Sequence, residues 1–456
     1  MSARHRYPVC MKSGPRLTTR LASLSALLFL GCVTVPTDTP VGEPEPAAVQ
    51  PENQLLFRNA AVLTGTGEFF ERADVLIGDD RIFAVGLDLD RPAGARTIDA
   101  SGRWITPGLI DTHSHIGVYA VPRVPAHSDG NEATSPFTPH VRAADSFWPQ
   151  DPALRSAAAG GVTTVHVLPG SANLVGGQGV TLSVRPGLSA SELEFLGAPV
   201  SMKMACGENP KAVYGQGKKS APATRMAEVA MLRQKLAEAQ VYRAASGKAP
   251  DYKKLELQKV VTGEYQIQNH CYRADEMLIR LDLFAEFGIK PRAFHHAVEA
   301  YKIRAQLAEQ EVGVATWVDW WGRKLEMLDA IPAGVALLHQ AGVRVAVHSD
   351  SPDDVQRLNQ EVAKGVAAGR RAGIEVSPGE AIRWVTANAA WILGIEAETG
   401  TLEVGKRADL VLWSGDPLSV YTRADRVYNA GVLTHDRSDP NLFPASDFEL
   451  GREVSP

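Results

Sequence analysis

The run GLIDTHSH ends in two histidines one residue apart, His113 and His115. Successive side chains of a β-strand point to opposite faces, so residues i and i+2 share a face and two imidazoles at that spacing converge. Neutral imidazole is a good ligand for zinc and similar cations. Taken alone, a His-x-His pair is a frequent chance match. Three later apolar runs change its weight. QIQNH ends at His270, PRAFHH at His295 and His296, and VRVAVHSD at His348, Ser349 and Asp350. Burying so many ionisable groups without a shared partner is costly, and a divalent cation supplies that partner. The pattern predicts a metal site assembled from separate strand ends.

The elements that must position these residues occupy residues 106–393, where short apolar runs alternate with helical stretches, the signature of βα units and a parallel sheet. Strands are expected at Leu109–Thr112, Thr163–Leu168, Ser201–Ala205, Tyr265–Asn269, Arg292–Phe294, Val312–Trp317 and Val343–Val347, and helices over 223–245, 274–288 and 298–309. This is near the size of a (β/α)8 barrel, with Val180–Val184 the obvious eighth strand. An open doubly wound sheet is the alternative, but no glycine fingerprint opens a helix after a first strand. A barrel places its chemistry at the C-terminal ends of its strands. Two insertions, 117–150 and 207–262, would then lie over that face. Residues 54–105 and 394–436 read as short alternating strands between turns, expected to pair into one small β-sandwich, with 437–456 as a tail.

Composition excludes other classes. The 456 residues carry 47 Lys and Arg against 52 Asp and Glu, a formal net charge of −5, without the basic footprint of a nucleic-acid binder. Four cysteines, with no Cys-x-x-Cys spacing, are too few for a disulfide scaffold. Residues 1–32 read as a signal peptide. Arg16 and Arg20 precede the apolar run Leu21–Leu30, too short to span a bilayer, and Leu30-Gly31-Cys32 resembles a bacterial lipobox with Cys32 lipidated. Phe29 departs from that pattern, plain secretion is the alternative, and either Met1 or Met11 could be the start. The Pro-rich stretch 33–53 reads as a tether. The expected location is extracytoplasmic, periplasmic or anchored to the membrane by that lipid alone, where Cys206 and Cys271 could pair.

Together, GLIDTHSHIG, a His after a mid-chain strand, a His pair further on, a strand ending in Asp, and the tail ANAAWILGIEAETGTLEVGKRADLVLW resemble the amidohydrolase superfamily, in particular its imidazolonepropionase-like and prolidase-like hydrolases. The resemblance covers about 54–434 and implies a metal-centred (β/α)8 barrel, with a small β-sandwich from both chain ends. It implies His113, His115, His270, His296 and Asp350 as ligands, with Asp350 also handling the proton of the attacking water. His295 is expected to point away. For the fourth strand, SMKMACGENPK offers Glu208, which is preferred, or a bridging, carboxylated Lys203. The choice decides between one and two ions, with zinc the expected metal. His348 shares the face of Asp350, and Arg273 has the bidentate fork to recognise a substrate carboxylate. The implied activity is hydrolysis of a C–N bond in a small amide, dipeptide or cyclic amide. A heterocycle deaminase and a non-catalytic extracytoplasmic binding protein are the alternatives.

Overall fold

The computed structural model describes residues 53–244 and 247–442. The expected signal segment, Cys32, nearly all of the tether and most of the C-terminal tail lie outside those residues. Among the described residues no helix is long and apolar enough to cross a membrane.

The first strands, β1 (Gln54–Leu63), β2 (Phe69–Gly78), β3 (Arg81–Gly86), β4 (Arg96–Asp99) and β5 (Trp104–Pro107), join the last three, β14 (Leu410–Trp413), β15 (Ala424–Asn429) and β16 (Val432–Asp436). They form one hydrogen-bonded sheet in the order β16-β15-β14-β5-β1-β2-β3, with β4 beside β1. The two chain ends therefore meet, across the antiparallel β5–β14 pair, in a single sheet path rather than in two separately paired layers. Period-2 alternation sorts the residues of β14. Leu410 and Leu412 pack with Phe57, Val75 and Ile77, while Val411 and Trp413 enter the core of the central region.

The central region holds the second eight-stranded sheet: β6 (Leu109–Ser114), β7 (Val162–Val167), β8 (Val175–Ser183), β9 (Ser201–Ala205), β10 (Gln266–Cys271), β11 (Ala293–His296), β12 (Gly313–Thr316) and β13 (Val345–Val347), in that spatial order. A backbone bond of 3.0 Å from Asp350 N to His113 O brings the chain after β13 back onto β6, so the sheet is a TIM-type barrel. Most strand residues are buried, as expected where helices cover the outside and side chains fill the inside. The eighth strand differs from a regular barrel. It covers Val175–Ser183 and runs antiparallel to both β7 and β9. Only a short connection, from Val167 to Val175, separates it from β7, too short for the crossover a parallel partner needs.

Helices at Arg225–Gln240 and Tyr252–Val261 form the charged hairpin of the second insertion. Thr224 caps the first by accepting from Ala227 N, and Asp251 caps the second by accepting from Lys253 N and Lys254 N. The expected helix over 298–309 is a 3-10 turn, Ala300–Ile303, followed by a helix, Arg304–Glu309. Gly394, at φ 72°, ends the last helix in the left-handed conformation that glycine tolerates best.

Candidate metal centre

Strand pairing decides which side chains face the barrel interior. In parallel register, Gln268 lies beside Lys203, and His270 beside both Ala205 and His295. Neighbours in register point to the same side, so Lys203 and Gln268 form one inward layer and His270 and His295 the next. His295 therefore turns inward, against expectation, with its Nδ1 2.9 Å from His113 Nδ1. His296, the last residue of β11, reaches the site another way. Its φ of 67° swings the ring back, as does a φ of 52° at Asp350. Positive φ at non-glycine residues clusters where function over-determines geometry.

Among the described residues, two groups bring one ligand atom each within 4.8 Å of one another: His113, His115 and Asp350, and His113, His296 and His348. Asp350 Oδ1 lies 3.1 Å from His115 Nε2 and 3.7 Å from His113 Nε2. His115 Nδ1 is 2.7 Å from the carbonyl oxygen of Leu168, which can only accept, so Nδ1 carries a proton and Nε2 is the nitrogen that faces Asp350. Burial alone would raise the Asp350 carboxyl, but the His115 hydrogen bond and the charges of His115, His348 and Lys203 outweigh it and hold it below its ordinary range. Burial pushes His348 down to about 3.

The donor set fits a divalent cation. Both ring nitrogens of His348 and Nδ1 of His296 are buried without a hydrogen-bond partner. Such orphans cost about 1–3 kcal/mol each unless something pairs with them. Imidazole nitrogens and a carboxylate oxygen are the donors zinc prefers.

Lys203 and Glu208 separate clearly. Lys203 is fully buried, with Nζ 3.2 Å from His113 Nε2, and burial pushes its amine down to about 7. Glu208 opens the short helix Glu208–Lys211 and lies in neither ligand group; its Oε1 is 3.5 Å from Lys324 Nζ. Lys203 thus stands against His113, whereas the chain turns into a helix after Cys206 and carries the preferred Glu208 carboxylate to a cation of the loop after β12. His270 also stands in neither group. Its Nδ1 is 2.9 Å from Ser171 Oγ and its Nε2 3.4 Å from Asn209 Nδ2, although its ring centroid is 4.5 Å from that of His296. Arg273 stands apart from these residues. Its guanidinium makes both hydrogen bonds to Asp275, at 2.9 and 2.8 Å, and it does not line the cavity.

That cavity, about 670 Å³, opens over the first ligand group. His115, His270, His296 and Asp350 form its floor, while Tyr119, Arg123 and His127 of the first insertion and Asn209 of the second form its walls. The glycine-rich loop after β7 contributes Gly170 and Ser171. A Cβ at residue 170 would come within 2.2 Å of the Asn131 side-chain amide and would have to displace it. Aromatic rings back the site: Trp317 stacks on His296 at 4.4 Å, and Trp320 on Trp317 at 4.4 Å.

Sequence reasoning missed Asp111, Gln268, Asn209 and the aromatic wall. Asp111 Oδ1 accepts from His113 N at 3.2 Å and Ser349 N at 3.1 Å, tying β6 to the segment that carries Asp350. Burial pushes its carboxyl up to about 7 against those bonds. Strand parity was a usable signal for Asp111 and Gln268, each two residues before a noted histidine. Asn209 and Trp317 are brought in only by the packing of distant loops.

The solved structure of an amidohydrolase from Thermotoga maritima MSB8 is 36% identical and superposes with a TM-score of 0.77, covering 84% of this chain and all of that one. The chain belongs to the amidohydrolase family. The family model described as "Amidohydrolase family" matches residues 301–434, the part that runs from the 3-10 turn before β12 into β16. Amidohydrolase tasK of Hapsidospora irregularis is 31% identical over 84% of this chain, which spans only 43% of that protein's length. The imidazolonepropionase of Mesorhizobium japonicum is 28% identical, covering 82% of this chain and 94% of that one. Amidohydrolases are hydrolases, and the barrel mouth described above is where such a fold keeps its chemistry.

Proposed function

We propose that this amidohydrolase is a metal-dependent hydrolase of C–N bonds in a small amide, dipeptide or cyclic amide. The observation that carries the reading is the convergence of His113, His115 and Asp350 at the base of the barrel mouth, with the Asp350 carboxylate 3.1 Å from His115 Nε2. His113, His115, His296, His348 and Asp350 would hold the cation, zinc by donor chemistry, with His270 at their edge and Lys203 behind His113. A divalent ion in such a site supplies Lewis acidity and brings the pKa of water from 15.7 down to about 7. The remaining work falls to the chain. Asp350, held below its ordinary range by the His115 hydrogen bond first of all, accepts the proton of the attacking water and delivers it to the leaving nitrogen, which must be protonated to depart. A Lys203 amine at about 7 is partly neutral at physiological pH, the form that offers a lone pair or is carboxylated to a bridging carbamate.

Metal analysis of the purified full chain, followed by a panel of N-acyl amino acids, dipeptides and cyclic amides, tests this reading. A new carboxylate and amine in equal amounts is the expected product pair. Release of ammonia would redirect the assignment to a heterocycle deaminase, and metal without turnover to a binding protein.

We further propose an extracytoplasmic location with Cys32 as the lipid anchor. Cys206 and Cys271 are joined in a disulfide, Cα to Cα 5.3 Å, which supports an oxidising compartment. Cys32→Ser is expected to move the protein from the membrane fraction to the soluble one; retention in the membrane would overturn the anchor.

A further inference from the structure

We infer that Gln268 and His295 are positioning residues that lock His113 in one tautomer, with the proton on Nδ1 and the Nε2 lone pair turned to the metal site. The argument runs along a buried chain of hydrogen bonds whose direction is set at its far end. Gln268 Nε2 lies 3.0 Å from the carbonyl oxygen of Ile392, in the helix that closes the barrel sequence. A carbonyl only accepts, so the amide nitrogen of Gln268 must face it, and Oε1 is the end that faces His295. His295 Nε2, 2.7 Å from that Oε1, therefore donates. In a neutral imidazole the other nitrogen is then an acceptor. His295 Nδ1 accepts from His113 Nδ1 across 2.9 Å, which leaves His113 Nε2 without a proton.

The opposite side of the ring agrees independently. Lys203 Nζ stands 3.2 Å from His113 Nε2, and in its ammonium form it has donors only, which makes Nε2 the acceptor. Gln268, His295 and His113 are all 0% exposed, so no water competes for these bonds. Reversing the relay would put an N–H on the His113 nitrogen that faces Asp350 across 3.7 Å, and a protonated imidazole nitrogen cannot bind a cation. Partners of this kind on metal-binding imidazoles are worth about 10–100-fold in metal affinity.

The inference rests on the metal reading, and the test separates the two. Zinc affinity of the full chain is measured by chelator competition for four variants. Gln268→Leu removes the acceptor that orients the relay, and His295→Phe removes the relay itself; each is expected to weaken zinc binding about 10–100-fold. Gln268→Glu, held as the neutral acid by burial, keeps an oxygen facing His295 and a hydroxyl donor facing the Ile392 carbonyl, and His295→Asn keeps an oxygen where Nδ1 stood; both are expected to stay close to the parent. In parallel, ¹⁵N NMR of the histidine-labelled, metal-free protein should show His113, assigned with His113→Asn, protonated on Nδ1. In Gln268→Leu the Nε2-protonated form should grow. Unchanged zinc affinity in Gln268→Leu would overturn the inference, and so would equal losses in Gln268→Leu and Gln268→Glu, which would report packing rather than polarity. An Nε2 proton on His113 in the parent would also overturn it. If His295→Phe fails to fold, the Gln268 pair decides. If no variant binds zinc, the metal reading fails while the NMR result still judges the relay.

Discussion

On the β6–β13 side of the barrel mouth, His113, His115 and Asp350 are held by short-range geometry. Strand parity sets the two imidazoles on one face, and Asp111 ties His113 N and Ser349 N together within 3.2 Å. On the β9–β10 side, Lys203, Glu208 and His270 depend on what lies between them, an insertion whose ends are joined by the Cys206–Cys271 disulfide. There the insertion reaches across the loops. Arg225 at the start of its first helix pairs with Glu276 and Glu326, and Lys324 Nζ holds Asn209 Oδ1 at 2.8 Å beside His270. One side carries a site that local rules build; the other carries a site that tertiary packing must complete.

The largest effect belongs to the first side. Asp350→Ala removes the only carboxylate of the two ligand groups, and turnover on the best amide substrate should fall about 10²–10⁴-fold, the usual worth of general acid–base catalysis. Most of the metal should remain, because the histidines still hold it. Retained turnover would break the assignment of Asp350.

The next test sharpens the contrast on the second side. Lys203→Ala should lower metal content or affinity about 10–100-fold, as loss of an immediate partner of a ligand does. Glu208→Ala should leave it unchanged, since that carboxylate faces Lys324. Metal loss in Glu208→Ala with none in Lys203→Ala would restore the sequence-based preference.

This pair also marks how far the sequence could be read. The barrel, its strand order and the inward pairs at His113 and His115 follow from periods of apolar residues and from parity, which are local. Glu208 over Lys203 was a choice between an accessible carboxylate and a lysine in an apolar strand, and it turned on where the chain bends after Cys206. The inward turn of His295, which was expected to point away, turned on register with His270, a property of the pairing of two strands and of neither alone. The reversed direction of β8 followed from a connection length whose meaning appears only once β7 and β8 are known to be neighbours. Strand ends were legible; what the loops bring to them was not.

A smaller effect concerns the insertion's anchorage. Burial pushes the Glu326 carboxyl up to about 7, with Glu276 and Glu208 adding to it and Arg225 and Lys324 opposing. A carboxyl whose folded pKa lies above its unfolded value contributes its full stability below the unfolded value, near 4.5, and loses it as pH rises through about 7. Between those values the folded state holds the extra proton, so this group makes the protein less stable at pH 8 than at pH 5. Glu326→Gln keeps an oxygen to accept from Glu208 N and has no proton to lose, so its urea midpoint should fall less between pH 5 and pH 8 than the parent's. Equal slopes would show that the Arg225 pairing keeps this carboxylate charged throughout.

The smallest effect is expected at Arg273, which sequence alone made a candidate for binding a substrate carboxylate. Its guanidinium is paired with Asp275 through Nε and Nη2, and both groups are exposed, with side-chain exposures of 42% and 55%. An exposed ion pair is worth about 0–1 kcal/mol, and substitutions at such sites change stability by about 0.5 kcal/mol or less. Arg273→Ala should therefore leave KM for a carboxylate-bearing substrate, kcat and the melting temperature close to the parent's. A rise in KM confined to substrates with a carboxylate would mean that Arg273 leaves Asp275 on binding, and the β10 side of the mouth would then take part in recognition as well as in holding His270.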